Sequence, residues 1–172
     1  MVRNLVLALS LAAGLAGCAA SSLTGGDASA DRQGQGTPVP VTRIRPERQP
    51  LEFHSGFTAP ARLVVRSDAE WREVWARIYQ GRTPQPALPA VDFAREAVLV
   101  AALGERPSGG HGIVVDSVYD AGTELQAVVR KTSPGPGCVV AGALTQPVDA
   151  VRIPATAKSV KFVDRDEVRD CR

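Results

Sequence analysis

The feature that most constrains this chain is the run Ala97-Val98-Leu99-Val100-Ala101-Ala102-Leu103. Seven apolar residues without a polar break cannot form a strand with one face in water. They predict a central strand covered on both faces. The loop Gly104-Glu105-Arg106-Pro107-Ser108-Gly109-Gly110-His111-Gly112 follows. A second apolar run starts at Ile113, so a Gly-rich turn is held between two strands.

Upstream, Arg62 to Arg66 reads as a strand, and Ser67-Asp68-Ala69-Glu70 as a capping box. Trp71, Val74, Trp75 and Ile78 then recur at i, i+3, i+4 and i+7, which predicts one amphipathic helix stopped near Gly81. The strict spacing favours core packing of both tryptophans over ligand stacking. Pro84, Pro86 and Pro89 mark an irregular crossing. Downstream, Ile113 to Tyr119 alternates, with Ile113, Val115, Ser117 and Tyr119 on one side. Glu124 to Arg130 answers it as a hairpin partner. Ser133 to Gly137 reads as a loop, and 138–140, 148–153 and 159–163 as short strands. The fold class expected is α+β: a mostly antiparallel sheet of short strands with one helix packed on it. A small β-sandwich is the alternative.

The N-terminus carries a different message. Arg3 precedes the short apolar stretch Leu5 to Leu15, the form of a secretory signal and too short for a membrane span. Leu15-Ala16-Gly17-Cys18 looks like a lipobox, in which Cys18 would become the lipidated first residue; a plain cleaved signal is the alternative. Ala19, by resemblance to lipoproteins of two-membrane bacteria, points to the outer membrane. The expected organisation is a signal at 1–17, a flexible tether at 18–50, a domain at 51–164 and a charged tail at 165–172. Four glycines and four prolines between Gly25 and Pro50, with no aromatic residue, carry the tether expectation. Arg43, Arg45 and Arg48 read as solvated or as neighbours of anionic headgroups. In an exported protein Cys138 and Cys171 are a candidate disulfide, with two unpaired thiols as the alternative.

The strand-then-Trp helix, Pro89-Ala90-Val91-Asp92-Phe93, the strand 97–103, the Pro134-Gly135 loop and Thr145-Gln146-Pro147 together resemble the C-terminal domain of PrcB. PrcB is an accessory subunit of a bacterial surface protease complex. The resemblance spans about Leu51 to Val163. Its most specific piece is the Gly-x-x-Pro-Thr/Ser-Gly-Gly-Tyr loop, carried here by Gly104, Pro107, Ser108, Gly109, Gly110 and His111, with His111 in place of the usual Tyr. The resemblance implies a non-catalytic accessory protein that assists or stabilises a surface protease, and supplies no catalytic residues.

The residues themselves argue the same way. Ser108 is not in a Gly-x-Ser-x-Gly elbow, and a Ser–His pair three apart on one loop does not align as nucleophile and base. His54 and His111 lack metal-ligand spacing, so no metal is expected. Asp92 and Glu96 read as capping or solvated carboxylates. The Gly-rich loop lacks Gly-Lys-Ser/Thr and leads into a strand, so it is no phosphate cradle and no cofactor is expected. A formal net charge of +2 with no Lys/Arg stripe argues against nucleic acid. What remains is a contact loop at 104–111, with a simple tight turn as the alternative. The tip is also loosely similar to the Pro-Thr-Thr-Gly-Tyr loop of chagasin-type cysteine-protease inhibitors, whose companion motifs are missing. The expected partners are a membrane, through Cys18, and a protein. A purely structural envelope lipoprotein is the third alternative.

Overall fold

The computed structural model describes residues 36–45 and 54–171. Eight strands and one helix follow in order: β1 (Thr37–Val39), β2 (Thr42–Arg43), β3 (Ala61–Val65), α1 (Asp68–Ile78), β4 (Glu96–Ala102), β5 (Gly112–Asp120), β6 (Glu124–Pro134), β7 (Val148–Pro154) and β8 (Ser159–Arg169). They form two four-stranded sheets, ordered β1-β5-β6-β8 and β2-β7-β4-β3. All pairings are antiparallel except β6 with β8, which run parallel over eleven residue pairs.

The apolar run is the hinge of this arrangement. β4 lies between β3 and β7 and is buried along nearly its whole length. Successive side chains of a strand point to opposite faces. Val98, Val100 and Ala102 therefore join a core under α1, with Trp71, Trp75, Ile78, Tyr79 and Phe57. Ala97, Leu99, Ala101 and Leu103 join a second core against the other sheet, with Val115, Val118, Leu125, Ala127 and Val129. The fold is thus α+β, and its two sheets stack while the helix covers the outer face of one.

The helix forms as its sequence dictates. Ser67 is the N-cap, and its Oγ accepts from the Glu70 amide at 3.3 Å. Glu70 reaches one residue further back than a capping box requires, accepting from the Arg66 amide at 2.8 Å. That bond is the largest cause of the lowered Glu70 pKa. Gly81 adopts φ +80° just past the end. The proline-rich crossing has a packing role: Trp71 Nε1 donates to the Pro89 carbonyl and Trp75 Nε1 to that of Pro86, each at 3.0 Å. Both buried indole donors are satisfied by backbone that proline leaves without regular partners.

Four expectations change. The fold starts before Leu51: β1 pairs with β5 and β2 with β7, and Ile44 is buried. Val39, Val41 and Ile44 bury enough surface to hold this stretch, so the tether description fails for residues 37–44. Residues 165–169 of the charged tail are part of β8, and their charges lie along an exposed edge. Residues 138–140 are not a strand, and β6 instead extends through Ser133 and Pro134 of the expected loop. Finally, β5 does not keep one alternation. A bulge between Val115 and Ser117 inserts Asp116, so Ile113, Val115 and Val118 share the buried side.

Candidate functional site

The contact loop expected at 104–111 is tightly held. Gly104 has φ +77°, and a Cβ there would meet the Pro60 nitrogen at 2.8 Å. Arg106 and Thr145 exchange backbone hydrogen bonds of 2.8 and 2.9 Å. Thr145 Oγ1 donates to the Ser108 carbonyl at 2.9 Å, and the Gly109 amide donates to Ala141 at 2.8 Å. Gly110 has φ +82°, and a Cβ there would meet Val140 Cγ1 at 2.8 Å. The loop therefore rests along its length on a second loop, residues 135–147. Pro107 and Gly110 remain exposed, while Ser108, Gly109 and His111 are half-buried.

Ser108 Oγ donates to the Gly109 carbonyl at 3.1 Å, so it is engaged with its own loop. Partial burial, and then the nearby Arg106 guanidinium, hold the His111 imidazole below its ordinary value. His111 is thus neutral at neutral pH. His54 lies elsewhere, in a bridge to Gln146. Asp92 accepts from the Ala94 amide, and Glu96 pairs with Arg152 at 3.4 Å. Among the described residues, no group of three or more His, Cys, Asp or Glu side chains could hold a metal ion.

The second loop is pinned at both ends. The Arg106–Thr145 bridge fixes one end, and the Cys138–Cys171 disulfide ties the other to the end of β8, with Cα atoms 5.0 Å apart. Between these fixed points Val139 is fully exposed and Leu144 is 57% exposed. Val168, 65% exposed, lies at the end of β8 beside Gly135. Cys18, the expected lipidation site, lies outside the described residues.

A cleft of about 460 Å³ opens beside His111. Gly112, Ile113 and Val114 of β5 form one wall, and Pro147, Val148 and Asp149 another. Arg45, Arg130 and Arg169 reach its rim. Arg130 is committed to Asp116 and Glu167. Asp149 is buried, yet its carboxylate is paired with Arg43 and accepts from the Val115 amide at 2.9 Å. Arg43 also donates to the Val115 carbonyl at 3.2 Å. Burial pushes the Asp149 carboxyl up, against the pull of Arg43, the Val115 amide and Arg45.

Residues 97–154 match the family model described as PrcB C-terminal. The match covers about a third of the chain. No curated protein and no solved structure matches the chain. The matched residues run from β4 through β7 and include both loops, the β5–β6 hairpin and Asp149, but neither α1 nor β8. The family points to an accessory role beside a protease.

The sequence reading missed Arg43 and Asp149. A signal was present for each. Asp149 is the one acid within the apolar stretch 147–151, and a carboxylate in a buried strand needs a cationic partner. Val39 and Val41 alternate into Arg43, the period of a half-buried strand.

Proposed function

We propose that this chain is an exported, lipid-anchored accessory protein that binds a protease or another envelope protein through the paired loops 104–112 and 135–147. The observation that carries this reading is apolar exposure on a fixed scaffold. Val139 and Leu144 project into solvent from a loop pinned by a disulfide and a backbone bridge. Apolar side chains held outside a core gain most by burial against a partner, and prior fixing lowers the entropy lost on docking. Gly110, exposed beside them, admits close approach of a partner's backbone. The anchor rests on the sequence alone: the apolar stretch Leu5 to Leu15 followed by Leu15-Ala16-Gly17-Cys18.

Affinity capture from intact envelope tests the binding surface. The native chain is expected to retain one stoichiometric partner. Val139→Glu with Leu144→Glu is expected to lose it by tenfold or more, with the thermal midpoint unchanged because both side chains are exposed. Undiminished capture by that double variant would overturn the loop surface as the contact. The anchor is tested separately. Cys18→Ala is expected to move the protein from the membrane fraction to the soluble one, and continued membrane retention would remove the lipid from the reading.

A further inference from the structure

The cleft beside the loops has the construction of a strand-end receptor. β1 pairs with β5 only from Val118 to Asp120. The chain then leaves that sheet and joins the other as β2. Ahead of the bulge, β6 holds one edge of β5, and the opposite edge faces the cleft. At Val115 that edge is answered by side chains rather than by a strand: Asp149 accepts from its N–H and Arg43 donates to its carbonyl. By the two-residue alternation of a strand, Ile113 presents its own N–H and C=O to this same edge, into the cleft.

The chemistry of the walls narrows what fits. The Arg43–Asp149 pair stops the cleft at Val115, so a chain end enters it and a through-running strand does not. Arg45 stands close enough to Asp149 to act on its ionisation, and so lies at the stopped end. Arg45 and Arg169 are exposed, and among the described residues no ion pair occupies either guanidinium. Two available arginines favour a carboxylate over an ammonium group. The volume suits a few residues rather than a folded surface.

We propose that this cleft binds the extended C-terminal end of a partner protein. Backbone hydrogen bonds to the Ile113 edge would add the segment as a short strand, while Arg45, at the stopped end, holds its terminal carboxylate and Arg169, level with Pro134, adds positive charge at the open end. The proposal rests on the accessory-binding reading and names the part of the partner that is recognised.

A random hexapeptide library with free C-termini, selected on the full chain, tests it. Selection is expected to enrich peptides that lose at least tenfold in affinity when their C-terminus is amidated. Arg45→Glu is expected to weaken the same peptides severalfold and Arg169→Glu to weaken them less, with unchanged thermal midpoints. Amide hydrogen exchange is expected to slow at Ile113 on binding. Three results would each overturn the proposal: no enrichment, equal affinity of acid and amide forms, or acetate competing as strongly as the peptides do. Envelope capture that persists in Arg45→Glu while these peptides fail would remove the cleft alone. Loss of capture in the Val139 and Leu144 double variant would bear on the loop surface instead.

Discussion

The two faces of the β2-β7-β4-β3 sheet are built from different materials. The face under α1 is aromatic: Trp71 and Trp75 have ring centroids 5.3 Å apart, and Trp75 and Tyr79 4.6 Å apart. The face toward the second sheet is aliphatic: Leu99, Val151 and Ile153 meet Val115, Leu125 and Val129. One helix must cover a whole sheet, and a few large rings fill that space with little chain. Two sheets already match in shape, so small branched side chains interdigitate between them. The aromatic face is also the more local one, since Trp71, Trp75 and Tyr79 come from α1 and its end and Phe57 from shortly before it. The aliphatic face joins residues far apart in sequence.

That contrast can be broken in order of expected effect. Trp75→Ala should cost about 3–5 kcal/mol, because it opens a large cavity and strands the Pro86 carbonyl. Urea unfolding followed by far-UV circular dichroism measures it. Leu99→Ala, on the opposite face, should cost about 3 kcal/mol in the same assay. If Leu99→Ala costs more than Trp75→Ala, the inter-sheet face is the chief support and the ranking is reversed.

Ser67→Ala should cost only about 1 kcal/mol, because it removes a cap and leaves both cores intact. A larger loss would mean that the helix face depends on how α1 begins. The smallest effect belongs to the rim of the aliphatic face. Burial raises the Asp149 pKa above the unfolded value near 3.8. Its proton is held more tightly in the fold, so this contribution to stability is full below the unfolded pKa. It is lost as pH rises through the folded one. The stability of the native chain relative to Asp149→Asn should therefore fall with rising pH across that window. A relative stability that rises instead would show that Arg43 outweighs burial.

The same contrast explains what could be read in advance. α1 was legible down to its cap, because its signals lie within a dozen consecutive residues. β4 was legible because a strand buried on both faces has no polar residue to hide it. The β5–β6 hairpin was also legible, since its turn is local. The bulge at Asp116 was not, because a single inserted residue shifts the alternation without a marker of its own in the sequence. β1 and β2 were missed because Pro38 and Pro40 resemble a linker, and far-off partners, Val118 to Asp120 for β1 and Val151 and Arg152 for β2, overrule that composition. The loop at 104–112 was visible as a string of glycines with Pro107. Its support by residues 135–147 was not, since long-range loop packing leaves no periodicity. The cleft is assembled from β5, β6, β7, β8 and Arg45, so no single stretch of sequence carries it.

The crossing of β1 and β2 from one sheet to the other has a mechanical meaning. Among the described residues, the first two strands are hydrogen-bonded to different sheets. A pull applied ahead of Thr37 meets the β1–β5 bonds first. Once those yield, it meets β2–β7, Ile44 and the Arg43–Asp149 pair. The described entry segment is thus held twice, once to each sheet.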